Sequence, residues 1–148
     1  MTSVWLADAA ATAAFGARLA PVLAVGDVVA LTGGLGAGKT SLARGLLAAL
    51  GVFGEVPSPS FAIVQPYDPP EVRLPVLHVD LYRIDEEREI EELGLAEAQR
   101  DGALIVEWPE RAAGRWSDAL ALTLTPEWDG RRLTAMVPPA WKRRWMTL

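Results

Sequence analysis

The sequence contains no cysteine and no asparagine, only one histidine, His78, and only two lysines, Lys39 and Lys142, in 148 residues. The missing thiols exclude disulfides, thiolate nucleophiles and sulfur-ligated metals, and a lone histidine does not furnish a histidine-based zinc site. Any bound metal is therefore expected to sit among oxygen atoms. No run of about eighteen apolar residues is present to span a bilayer, and the N-terminal stretch lacks the basic flank of a secretory signal, so a cytoplasmic protein without membrane contact is expected. Basic excess is lacking as well. The formal net charge is −5, which argues against a nonspecific grip on nucleic acid and towards protein partners.

What is present points to one core. With 51% of residues hydrophobic, a chain of this size buries one core but hardly two, so a single domain over residues 1–148 is expected, ending in a basic, tryptophan-bearing tail at 138–148. Asp8 is placed to cap an alanine-rich helix that runs to about Leu19. Residues 27–32 are apolar on both faces of any strand they form, as in a central strand covered on each side. After a glycine-rich turn, Leu42, Leu46, Leu47 and Leu50 recur at helical spacing, with Gly51 as the terminator. Residues 51–60 read as an exposed loop. Residues 61–67 and 73–84 flank Asp68-Pro69-Pro70 and predict an antiparallel hairpin. The acidic segment 85–99 predicts a short amphipathic helix or loop, and 103–106 a second buried strand. A last hairpin, 118–125 with 132–137, turns near Asp129-Gly130. The pattern is α/β: a P-loop NTPase-like domain with a central, largely parallel mixed sheet, flanking helices and antiparallel hairpin additions.

The turn between the first buried strand and its helix, Gly33-Gly34-Leu35-Gly36-Ala37-Gly38-Lys39-Thr40, satisfies G-x-x-x-x-G-K-[ST] in full. Glycines let successive amides point inward at phosphate, and the following helix adds the positive end of its dipole. Gly36, Ala37, Gly38, Lys39, Thr40 and Ser41 are the expected phosphate-binding set, for ATP with Mg2+. The chain uses twelve arginines elsewhere, so Lys39 stands where a compact ammonium on a flexible stem suits bridging phosphate oxygens. Thr40 offers a hydroxyl to magnesium, a hard cation that prefers oxygen. The plainer reading of the same residues is a glycine-rich turn before a packing helix.

Two carboxylates are expected at the same sheet edge. Asp80 shares a strand face with His78 and Tyr82, and Glu107 follows the apolar run Ala103-Leu104-Ile105-Val106. Each is placed to hold magnesium or polarise a water, and each also suits a salt bridge to an arginine. His78 reads first as a hydrogen-bonded structural residue. Trp108 suits either stacking on adenine or filling core. Ser58 and Ser60 suit loop solvation or sensing of a γ-phosphate.

Guanine recognition through N-K-x-D is not available to a chain without asparagine. Small-molecule kinases share the loop but need an acceptor pocket and usually a cationic lid, and no lid is evident. The glycine loop is followed in order by Ser58-Pro59-Ser60-Phe61, His78-Val79-Asp80-Leu81-Tyr82-Arg83, Glu92-Leu93-Gly94 and Val106-Glu107-Trp108-Pro109. Together, across residues 8–110, these segments resemble the bacterial TsaE family, formerly YjeE, of tRNA threonylcarbamoyladenosine biosynthesis. The resemblance implies an ATPase that joins TsaB- and TsaD-like proteins and supports repeated threonylcarbamoyl transfer to adenosine 37 of tRNA, meeting tRNA only through that complex. It further implies that Lys39 grips phosphate, that Thr40 and Glu107 hold magnesium with help from Asp80 and Ser60, and that residues 58–61 form a switch-like loop. Thr12 and Arg131 resemble positions near the nucleotide. The family usually has aspartate where Gly34 stands and threonine where Ser60 stands; serine keeps the hydroxyl, whereas Gly34 loses a carboxylate. An accessory ATPase, a small-molecule kinase and a nucleotide-dependent binding module thus stand side by side, separated by whether phosphate is released, transferred or neither.

Overall fold

In the computed structural model, which describes residues 2–54, 56–57, 59, 64–112 and 114–148, the apolar segment after Asp27 is strand β2 (Val28–Thr32), the middle strand of seven in one sheet. Val28, Val29, Ala30 and Leu31 are all buried, because a strand covered on both faces has no solvent side to reserve for polar residues. On one side of β2 lies β5 (Ala103–Glu107), then β4 (Val76–Asp80), both parallel to β2, and then antiparallel β3 (Val64–Tyr67) at the edge. On the other side lies parallel β6 (Leu120–Glu127), then antiparallel β7 (Gly130–Met136) and β1 (Thr2–Leu6). The α/β expectation therefore holds: a mixed sheet, parallel at its centre, with antiparallel additions at both ends.

Helices α1 (Ala9–Leu19) and α2 (Lys39–Leu50) cover one face, where Phe15, Leu19, Leu42, Leu46 and Leu47 join Val29, Leu31, Ile105, Leu122 and Leu133 in the larger core. The Asp8 carboxylate accepts from the Ala11 amide at 2.8 Å, the expected N-cap, and Gly51 ends α2 with φ 126°. Two short helices, α3 (Glu87–Glu91) and α4 (Leu95–Asp101), cover β2, β5 and β4 from the opposite face through Ile90 and Leu95. Helix α5 (Pro139–Trp145) packs back: Trp141 is buried in the larger core and Arg144 pairs with Asp27 at 2.6 Å. Among the described residues no helix is long and apolar enough to cross a membrane.

Three features depart from the sequence pattern. Strand β1 was not foreseen, since Thr2–Leu6 has a weak pattern of its own and is held by pairing with β7. The strand expected over 73–84 is confined to Val76–Asp80, because the Asp80 carboxylate accepts from the Tyr82 amide at 2.9 Å and folds the chain into a side-chain-stabilised turn. The acidic segment splits into α3 and α4 at Gly94, which has φ 69°. The hairpin partner β3 begins at Val64, and the expected strand residues 61–63 lie outside those described.

Helices α1 and α2 approach so closely that glycine is required at the contact. A Cβ on Gly45 would overlap the Ala13 carbonyl, and one on Gly16 the Leu42 carbonyl. Because backbone atoms cannot yield as a side-chain tip can, Gly45→Ala is expected to lower unfolding free energy by about 1–3 kcal/mol. Urea unfolding reads this as a reduced midpoint at unchanged slope. Gly34→Ala, whose Cβ would meet no atom, is expected to leave the midpoint nearly unmoved.

Candidate functional site

Beyond Thr32 the chain leaves the sheet and returns as α2, and the glycines between take conformations that a side chain would resist. Gly36 has φ 75° and Gly38 φ 111°. Gly38 is the N-cap of α2 and makes no side-chain cap, so the first-turn amides are left for another acceptor. A concave loop of amides over a helix N-terminus is suited to an anion.

Lys39 lies under this loop, only 5% exposed. Its ammonium donates to the Gly33 carbonyl and, at 3.1 Å, to that of Gly34, and it sits 3.9 Å from the ring centre of Trp108. Burial pulls its pKa below the usual lysine value, and the negative charges of Glu107, Asp80 and Glu110 oppose that shift. At Trp108 the backbone enters the left-handed region, φ 60°. The Trp108 ring also meets that of Tyr82 at 4.8 Å, with the Arg111 guanidinium 5.7 Å from the Tyr82 ring.

The carboxylates come from strand ends. Parallel register sets Glu107 beside Asp80 on one side and Leu31 on the other. Glu107 is 2% exposed and Asp80 5%. Thr40 Oγ1 donates to Glu107 Oε1 at 3.2 Å, while His78 Nε2 lies 2.7 Å from Oε2. The partners of Glu107 are thus a hydroxyl and an imidazole, and the arginine salt bridge considered for it is not among its described contacts.

A cleft of about 330 Å³ gathers these groups: Gly36, Ala37, Gly38, Lys39, Thr40 and Ser41 form one wall, and Asp80, Glu107, Trp108 and Arg131 the other. Arg131, at the start of β7, reaches over Gly38, where a Cβ would stand 2.7 Å from its Nη1. Thr12 is not in the cleft wall. It is buried behind Gly38, its hydroxyl donating to the Asp8 carbonyl at 2.8 Å. Ser58, Ser60 and Phe61 of the expected switch-like loop lie outside the described residues. Sequence reasoning assigned nothing to Tyr82, whose ring backs Trp108, or to Ala9 and Leu35, which complete the lining. The only signal for Tyr82 was its place on the strand face of His78 and Asp80.

The donor chemistry fits nucleotide and magnesium. Among the described residues no three acidic or histidine side chains converge into a self-contained metal site. One carboxylate and one hydroxyl within 3.2 Å of each other suit instead a cation that keeps its waters and shares phosphate oxygens.

Comparison with known proteins finds one family over most of the chain. The model of the family described as "Threonylcarbamoyl adenosine biosynthesis protein TsaE" matches residues 6–133. The chain is 43% identical over 111 residues to the tRNA threonylcarbamoyladenosine biosynthesis protein TsaE of a Synechocystis species, covering 72% of this chain and 69% of the relative. The protein of the same description from a Nostoc species is 35% identical over 143 residues, covering 93% and 86%. The crystal structure of YdiB from Bacillus subtilis superposes with a TM-score of 0.81 at 26% identity, covering 99% of this chain and 91% of that one.

Gly38 is a cleft position that resists a side chain. Gly38→Ala sets a side chain at positive φ and against the Arg131 guanidinium. Strain of about 1–3 kcal/mol at such a position corresponds to roughly a five- to 150-fold loss of affinity. Calorimetric titration with ATP is expected to show that loss with the fold, read by circular dichroism, intact.

Proposed function

This chain belongs to the TsaE family of threonylcarbamoyl adenosine biosynthesis proteins, and we propose that it is the cytoplasmic ATPase of the machinery that makes N6-threonylcarbamoyladenosine in tRNA. It binds Mg-ATP in the cleft above β2 and hydrolyses it to ADP and phosphate. Hydrolysis drives turnover of a complex of TsaB- and TsaD-like proteins, and tRNA is met through that complex. The observation that carries this reading is the convergence of Lys39, Thr40 and Glu107 beneath a glycine loop.

Each residue has a task that its surroundings support. The loop amides and the α2 N-terminus hold the phosphates, and the Lys39 ammonium exchanges the Gly33 and Gly34 carbonyls for phosphate oxygens. Glu107 and the Thr40 hydroxyl would hold magnesium, which would neutralise charge on the phosphate oxygens. Asp80, beside Glu107 in the register, is placed to orient a water at the same sheet edge. Arg131 sits over the loop from the β7 side and supplies a second positive charge. Trp108 closes the cleft against Lys39 and limits the access of bulk water.

Phosphate release from ATP and magnesium, with and without a purified TsaB and TsaD pair, tests the reading. Release is expected to rise with the partners. Lys39→Ala removes charge-assisted bonds of about 1.5–3 kcal/mol, so ATP should bind at least about tenfold more weakly. Glu107→Ala should leave the fold intact and cost about a hundredfold or more in hydrolysis, as several kcal/mol of metal-assisted stabilisation are lost. A phosphorylated small molecule in place of free phosphate would make the protein a kinase. Bound ATP with no release under either condition would make it a nucleotide-dependent binding module.

A further inference from the structure

The Glu107 carboxylate has two holders, and only Thr40 belongs to the nucleotide loop. The other, His78, is on β4, fully buried, opposite Ile105 in the register and two residues before Asp80. Its Nε2 lies 2.7 Å from Glu107 Oε2, and its Nδ1 has no hydrogen-bond partner among the described residues. We infer that His78 is a positioning residue for the magnesium site: its Nε2–H holds Oε2 of Glu107 and leaves Oε1 facing Thr40.

The inference rests on the Mg-ATP reading and follows from the chemistry of the pair. An ionised carboxylate only accepts, so the hydrogen between the two groups belongs to Nε2, and the tautomer is assigned by the partner. That hydrogen bond fixes one oxygen of the carboxylate and leaves the remaining acceptor positions of Glu107 available to a cation. An arginine or lysine at the same place would anchor the carboxylate too, but would neutralise it and compete with the metal.

A space-filling role explains the geometry less well. On the sheet face of His78, Val76 and Ile105 are buried and apolar, while Gln65, its partner on β3, and Asp80 are polar. An aliphatic side chain would fill the position without burying an unpaired nitrogen. Among the described residues the hydrogen bond of the imidazole goes to Glu107 alone. Partners that orient metal ligands in this way typically change metal affinity by about ten- to a hundredfold when removed.

The test measures magnesium dependence of nucleotide binding, separately from hydrolysis, using the β,γ-imido analogue of ATP. Wild type is expected to bind it more tightly as Mg2+ is added. His78→Leu should need about ten- to a hundredfold more Mg2+ for the same tightening, with binding in EDTA unchanged. His78→Gln places an amide N–H where Nε2 stands and should stay within about threefold of wild type; His78→Asn is too short to reach and should follow leucine. Should the leucine variant fail to fold, the contrast between glutamine and asparagine decides. Wild-type magnesium dependence in both His78→Leu and His78→Asn would overturn the inference, as would equal shifts in His78→Gln and His78→Asn. If wild type itself shows no tightening by Mg2+, the Mg-ATP reading fails, and the inference with it.

Discussion

Burying the Lys39 ammonium is the constraint around which the site is arranged. A desolvated cation must be given acceptors and negative charge. The structure supplies two carbonyls from the loop above it, the face of Trp108 beside it, and two buried carboxylates nearby. None of these can be moved independently. The carbonyls depend on glycines at positive φ, the indole on a left-handed residue directly after β5, and the carboxylates on parallel register across three strands.

The sheet that carries these groups is unequal across its width. Strands β2, β5 and β4 are covered on both faces, by α1 and α2 on one and by α3 and α4 on the other, and their side chains are buried almost without interruption. Strands β6, β7 and β1 pack one face on the larger core and leave the other open, where Ser3, Trp5, Thr123, Thr125 and Met136 are exposed. The phosphate loop, Asp80 and Glu107 all spring from the doubly covered half. The open half reaches the site through a single residue, Arg131, at the turn of its hairpin.

The glycine loop, its lysine and its threonine were legible without coordinates because their chemistry depends on residues adjacent in the chain. Asp80 and Glu107 were legible in part. Alternation on β4 and the apolar run of β5 gave the strand ends, but the meeting of the two carboxylates needed the parallel pairing. Thr12 shows the opposite case: its neighbourhood was foreseen, whereas its burial behind Gly38, with its hydroxyl turned to Asp8, follows from how closely α1 packs on α2. Strand β1 escaped notice because an edge strand of five residues is stabilised by its partner β7 rather than by its own pattern.

The sequence by itself determined the phosphate loop, the central buried strands, the helix that follows the loop and the lack of any thiol chemistry. Those properties are local, set by backbone freedom, hydrophobic period and the donor inventory of the residues present. Tertiary structure alone decided that Thr40 and His78 meet on one carboxylate and that Trp108 lies against Lys39. It also decided that the C-terminal tryptophan and arginine close the core beside Asp27. These contacts join residues far apart in the chain, and no periodicity records them. They are fixed by sheet register and by the burial of charges that must find partners.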